Sequence, residues 1–287
     1  MSNVILQQSS IVKCDTEFRI SGSKSISQRA LIINFLIGFK GDVFSISDSQ
    51  DTVLLNSCLL SEKSMLNVGN SGTTLRFLIA VCALKRMDVT IIGDAYLFDR
   101  PINPLINYLN LLGANISHSS DKILIKNGNL MGGELSVSLE QTSQFVSALL
   151  LIAPYLSGGL KLNLSSQVSS YSYVLMTLKM LDDCGIHFDI IDNSIVVYEN
   201  PYKIPYTMIE SDWTSVSYLF LSFLFSKSQS ITIASFSKNS IQPDSNLVDF
   251  FSVCGISFSI MKNKIILKKN ANILLPKKIT WNFNDNP

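Results

Sequence analysis

The chain has 287 residues, of which 47% are apolar and 16% charged, with a net charge of +1. That balance suits a globular protein of two domains or one large one and excludes a disordered segment. Near-neutrality without a long basic run also argues against a nucleic-acid surface and directs attention to a small ligand. Five cysteines (Cys14, Cys58, Cys82, Cys184 and Cys254) are scattered through mostly apolar runs, with no CxxC pair and only His118 and His187 beside them. They fit reduced thiols in a cytosolic protein better than a structural zinc. The opening residues carry neither a basic cluster nor a long apolar run, so no signal peptide is expected. Apolar segments such as 216–225 are too short to span a bilayer.

In chain order, the first informative stretch is Ser21-Gly22-Ser23-Lys24-Ser25-Ile26-Ser27-Gln28-Arg29, which runs into the apolar segment 30–36. A Ser/Gly-rich turn opening a helix leaves backbone N–H groups unpaired at the positive end of the helix dipole. Lys24 adds a point charge and Arg29 a planar fork suited to carboxylate or phosphate. The stretch is no Walker loop, since Ser23 precedes Lys24 and Phe18 stands where the first Gly would be. Taken alone, it reads equally well as a capped helix with solvated charges. Three further helix starts are built alike. They are Gly72-Thr73-Thr74, Thr142-Ser143-Gln144 and Asp212-Trp213-Thr214-Ser215, before the apolar segments 75–84, 145–151 and 216–225. Hydroxyls at helix starts are first of all N-caps. Four such starts would also let several positive helix ends face one cleft and suit a ligand with more than one negative group. Only five arginines occur (Arg19, Arg29, Arg76, Arg86 and Arg100), and none follows residue 100; with lysine carrying the remaining positive charge, a retained Arg is expected to be there for its fork geometry and not merely its charge.

An internal repeat organises the rest. Around Gly113, Gly185 and Gly255, at intervals of 72 and 70 residues, an amphipathic helix leads to Gly, a strand, a short polar turn and a second strand. The glycines sit where a helix C-terminus needs a left-handed residue. Repeats longer than a solenoid module indicate duplicated subdomains, each with its own sheet and helices. His118 and His187 read as structural or surface residues, and Trp213 and Trp281 as core.

Six ordered motifs then carry a resemblance. Gly69-Asn70-Ser71-Gly72-Thr73-Thr74-Leu75-Arg76 resembles a glycine-rich segment of the EPSP synthase family, the 3-phosphoshikimate 1-carboxyvinyltransferases. The stretch from Gly22 to Ala30 is similar to that family's Gly-Ser-Lys-Ser-x-Ser-x-Arg-Ala signature. Similar too are Arg100-Pro101-Ile102, with Phe98 where many members carry Arg; Thr142-Ser143-Gln144, with Thr for the usual first Ser; Ser170 with Tyr173; and Asp212-Trp213-Thr214-Ser215-Val216-Ser217-Tyr218.

The resemblance implies an α/β, two-domain enolpyruvyl transferase fold of repeated βαβαββ units. Residues 22–211 would form the first domain, and 1–21 with 212–287 an incomplete second one. It implies transfer of the enolpyruvyl group of phosphoenolpyruvate to the 5-hydroxyl of shikimate 3-phosphate, through a tetrahedral intermediate that expels phosphate, on the route to chorismate and the aromatic amino acids. By the same similarity Lys24, Ser25, Arg29, Thr142, Ser143, Gln144, Ser170 and Tyr173 would hold shikimate 3-phosphate. Lys24, Asn70, Gly72, Arg100 and Gln144 would hold phosphoenolpyruvate, with Arg76 structural or behind the ligands. No metal or organic cofactor, nucleic acid or membrane is implied, and a cytoplasmic monomer is expected. The tail from Ile279 to Pro287 is similar to the segment before the family's catalytic Asp, which would follow Pro287. Asp285 precedes the Pro and is no substitute, so a truncated chain that binds without turning over is expected. Two alternatives stand beside this: the related UDP-N-acetylglucosamine 1-carboxyvinyltransferase, which typically shows Lys-Asn at the opening motif and a reactive Cys near the Arg100 region, and a non-catalytic binding module derived from the family.

Overall fold

Capping hydroxyls and alternating strands set the elements of the computed structural model, which describes residues 17–138, 142–164, 170–261, 263–270 and 278–280. The N-terminal residues, Trp281 and the tail to Pro287 lie outside the described residues. Strand β1 (Glu17–Phe18) is followed by helices α1 (Lys24–Ile37) and α2 (Gln50–Leu59). Ser23 Oγ accepts the Ile26 N–H to start α1, and Gly38 at φ 76° ends it. Next come β2 (Met65–Asn67), α3 (Gly72–Leu84), β3 (Val89–Ile92), the short α4 (Ala95–Phe98), α5 (Asn103–Leu111), β4 (Asn115–His118) and β5 (Lys122–Lys126). The pattern recurs in β6 (Gly133–Val137), α6 (Ser143–Ile152), β7 (Leu160–Leu164), α7 (Tyr171–Asp183), β8 (Phe188–Ile191) and β9 (Ser194–Val197). Helix α8 (Trp213–Phe225), β10 (Ser230–Ala234), α9 (Leu247–Val253), β11 (Ile256–Met261) and β12 (Lys264–Lys269) follow.

The strands form three four-stranded sheets of one topology, ordered β2-β3-β5-β4, β6-β7-β9-β8 and β1-β10-β12-β11. In each, the first pair is parallel and the other two are antiparallel. A parallel pair needs a crossover, which α3 supplies in the first sheet and α6 in the second. In the third, β1 is separated from its parallel neighbour β10 by some 200 residues of chain, so this βαβαββ unit is discontinuous in sequence. The repeated glycines fill the expected role: Gly113, Gly185 and Gly255 have φ 100°, 78° and 83° just past α5, α7 and α9. At Gly113 a Cβ would lie 2.3 Å from the Asn129 carbonyl oxygen, so space as well as conformation demands Gly.

The described residues separate into two compact units, 22–209 and 17–21 with 210–280. In the first, α3 buries every residue except Thr73 and Leu84, and α6 buries all but Gln144, so both are central helices. In the second, one face of α8 packs on the sheet through Trp213, Val216, Phe220 and Phe223, against Ile233, Phe251 and Leu267. Trp213 meets Phe236 edge-on at 5.0 Å between ring centroids, and Phe220 meets Phe251 likewise at 5.4 Å. No described helix is long and apolar enough to cross a membrane.

Candidate anion-binding site

Within the 22–209 unit, Arg29 ties four helices together, each a turn or more beyond its first residue. Its position in α1 turns it inward, where its Nε–H donates to Thr177 Oγ1 of α7 at 2.7 Å and Nη2 to Ser147 Oγ of α6 at 2.9 Å. Nη1 donates to the Ser25 carbonyl at 2.9 Å, and the guanidinium stands 5.4 Å from the centroid of the Phe77 ring of α3. Thr177 Oγ1 lies 3.0 Å from Ser147 Oγ and 2.8 Å from the Tyr173 carbonyl oxygen. Arg29 is only 3% exposed, and burial pushes its pKa down to about 10. Every hydrogen-bond acceptor it uses here is neutral, so its positive field is left uncancelled by them.

A second convergence lies at the start of α3. Ser71 Oγ caps the helix by accepting the Thr74 N–H at 3.2 Å, and Gly72 is the first helical residue. A Cβ on Gly72 would sit 2.5 Å from Arg76 Nη1 and 2.8 Å from Arg100 Nη1, so two guanidinium groups close on this one Cα. Arg76 Nη1 donates to Gln144 Oε1 at 2.9 Å and Nη2 to the Pro101 carbonyl at 3.1 Å. Its guanidinium lies 5.5 Å from the Phe145 ring centroid, while its Nε is buried without a partner. Gln144 Nε2 donates to Thr73 Oγ1 at 3.1 Å, and the Gln144 backbone N–H to the capping Thr142 Oγ1 at 3.2 Å. Burial first, and then the nearby Arg100 charge, push the Arg76 pKa down to about 10. Among the described residues no carboxylate pairs with Arg76 or Arg100. Two cations at a positive helix end, with no described counter-charge, make a place for an anion.

Helix α6 joins the two clusters, since Ser147 holds Arg29 and Gln144 holds Arg76. Ser25, Arg29, Tyr173, Gly72, Arg100, Thr142 and Gln144 thus belong to one connected set of contacts. Ser143 follows the cap of α6 and is buried, and Ser170, at φ 69°, precedes α7. Asn70 is exposed in the turn before α3, and Lys24 forms an ion pair with Asp51 at 3.3 Å. Asp212 belongs to the other unit, where it caps α8 by accepting the Ser215 N–H at 2.6 Å. Thr73 lies within a helix start legible in the sequence, whereas Ser147 and Thr177 belong to none of its motifs. A usable signal existed, because Ser147 and Thr177 are hydroxyls four residues beyond Ser143 and Tyr173 in otherwise largely apolar helices.

Known proteins fit this architecture. The sequence profile of the family described as EPSP synthase (3-phosphoshikimate 1-carboxyvinyltransferase) matches residues 39–274. A 3-phosphoshikimate 1-carboxyvinyltransferase of Bacteroides fragilis strain YCH46 is 33% identical, with 94% of this chain and 66% of the relative aligned. One from Buchnera aphidicola subsp. Cinara cedri is 30% identical, over 88% of this chain and 66% of its own length. The chain therefore spans 66% of the length of these curated relatives. A solved EPSP synthase structure from Acinetobacter baumannii superposes with a TM-score of 0.65 at 18% identity, covering 93% of this chain and 69% of that one. It shares the two-domain fold of repeated units. The matched profile, the aligned relatives and the common fold agree that the chain belongs to the EPSP synthase (3-phosphoshikimate 1-carboxyvinyltransferase) family.

Proposed function

We propose that the chain serves the 3-phosphoshikimate 1-carboxyvinyltransferase reaction of the shikimate pathway, as a cytoplasmic monomer, binding shikimate 3-phosphate and phosphoenolpyruvate. The observation that carries this reading is the closure of Arg76 and Arg100 on Gly72 beside the Gln144 amide, with no carboxylate paired to either among the described residues. Phosphoenolpyruvate would lie there, against Gly72, Asn70, Arg100 and Gln144. Shikimate 3-phosphate would lie along the starts of α1, α6 and α7, against Ser25, Arg29, Thr142, Ser143, Ser170 and Tyr173, with Lys24 and Gln144 reaching both ligands. For Arg29, whose guanidinium is held by Ser147 and Thr177, the role is to supply positive potential and a fixed helix start.

In the reaction the methylene carbon of phosphoenolpyruvate takes up a proton while the 5-hydroxyl oxygen, giving up its own proton, bonds to the adjacent carbon. The tetrahedral intermediate then loses inorganic phosphate from that carbon and a proton from the new methyl group, which restores the double bond. Both substrates are polyanions. Fixed N–H donors and guanidinium groups replace their water and stabilise charge on the departing phosphate. Calorimetry tests the assignment. Shikimate 3-phosphate is expected to bind the folded chain, and phosphoenolpyruvate to bind more tightly once it is present. A folded chain that takes up neither would refute the reading. Binding without phosphate release in a coupled assay would assign the ligands and not the turnover.

A further inference from the structure

We infer that Arg76 is a positioning residue of the anion site: it sets which end of the Gln144 amide faces the bound anion. The inference rests on the proposed site and extends it. A glutamine amide has one accepting and one donating end of nearly equal size, and a half-turn exchanges them. A guanidinium can only donate. The 2.9 Å bond from Arg76 Nη1 therefore obliges Oε1 to face Arg76, and Nε2 then points to Thr73 Oγ1 at 3.1 Å. Nε2 carries a second hydrogen, so an anion arriving at Gly72 meets a donor. With the amide reversed it would meet a carbonyl oxygen and be repelled.

Arg76 is built for such a task. It is 4% exposed, lies against the Phe145 ring and is anchored at its other nitrogen by the Pro101 carbonyl. No acidic partner competes for it among the described residues. Pro101 directly follows Arg100, so the same guanidinium also steadies the loop that presents the exposed cation of the site.

The test uses the whole chain, with Arg76→Met, Arg76→Lys, Gln144→Ala and the Arg76→Met/Gln144→Ala double variant. Without ligand, the Gln144 side-chain NH2 signals are assigned by their loss in Gln144→Ala. They are expected to move to positions typical of a freely rotating amide in Arg76→Met, and to stay near their original positions in Arg76→Lys, whose ammonium still donates to Oε1. Unchanged signals in Arg76→Met would overturn the inference. Phosphoenolpyruvate is then titrated in the presence of shikimate 3-phosphate. Arg76→Met should weaken it about tenfold or more, as for loss of one charge-assisted hydrogen bond. The same change made in the Gln144→Ala background should cost at most about threefold, because the residue through which Arg76 acts is already gone. Losses that simply multiply would mean that Arg76 acts by charge alone, and would also overturn the inference. If the wild-type chain binds no phosphoenolpyruvate, the substrate assignment fails, yet the NH2 signals still decide the positioning role. Should Arg76→Met not fold, neutron diffraction on the wild-type chain distinguishes Oε1 from deuterated Nε2, and a nitrogen facing Arg76 would refute the orientation.

Discussion

Replacing Gly72 with Ala separates stability from ligand binding at the start of α3. Gly72 has ordinary helical backbone there, so Ala fits the chain and improves helix propensity by up to about 1 kcal/mol. The added Cβ would lie 2.5 Å from Arg76 Nη1 and 2.8 Å from Arg100 Nη1, against an ordinary contact limit of 3.4 Å, so these atoms must recede by about 0.9 and 0.6 Å. Both are the far ends of flexible side chains, and such a displacement costs on the order of 1 kcal/mol of rotamer strain. The two effects nearly cancel, and the melting temperature is expected to stay within about 3 °C of wild type. Binding changes much more. A displacement of that size bends the 2.9 Å bond between Arg76 and Gln144 without breaking it, and moves the exposed Arg100 guanidinium off the anion site. Loss of one charge-assisted bond from Arg100 to the bound anion is worth about 1.5–3 kcal/mol, or roughly 10- to 150-fold in phosphoenolpyruvate affinity. Shikimate 3-phosphate, held at other helix starts, should change by less than about threefold. Scanning calorimetry and isothermal titration of the same preparation read both quantities. Phosphoenolpyruvate affinity within a factor of about two of wild type would show that the two guanidinium groups do not form the site. A melting temperature lowered by more than about 5 °C would show that the clash is not confined to their tips.

Gly22→Ala should behave in the opposite way, since its Cβ would fall 1.7 Å from the Ser45 carbonyl oxygen and 2.9 Å from its carbon, where only backbone can yield. A loss of about 3 kcal/mol or more in urea unfolding is expected, and a variant as stable as wild type would mean that the 44–46 turn is free to shift. Thr177→Val keeps the shape of a wholly buried residue but removes the acceptor of the Arg29 Nε–H, so about 1–3 kcal/mol should be lost. Unchanged thermal stability would mean that Arg29 finds another partner. Asp244 provides a pH test. Burial, and then the Asp212 charge, raise its pKa above the usual carboxylate value, while Thr214 donates a hydrogen bond to it. The folded state thus holds this proton to higher pH than the unfolded chain, and stability falls as the pH rises through the folded pKa. Asp244→Asn keeps an acceptor for Thr214 and should exceed wild type in stability at pH 7. That advantage should vanish toward the unfolded value of 3.8. An advantage that grows on acidification would reverse the sign and refute the assignment.

Much of this molecule was legible along the chain because its signals are short-ranged. Ser23, Ser71, Thr142 and Asp212 each cap a helix within three residues of themselves. Gly113, Gly185 and Gly255 end helices in the left-handed conformation that the local sequence demands, and the second strand of each hairpin after them, β5, β9 and β12, alternates in burial as its residues do. Recurrence of that local pattern was enough to expose a repeated unit and, with the motifs, the family. Tertiary structure alone decided what lies across the fold. The pairing of β1 with β10, the enclosure of Arg29 by Ser147 and Thr177, and the bond from Arg76 to Gln144 join residues 68 to 148 positions apart or more. No capping or periodicity rule reaches that far, because such contacts exist only once separate helices and strands have packed and a buried guanidinium has taken whatever acceptors the neighbouring helices bring to it.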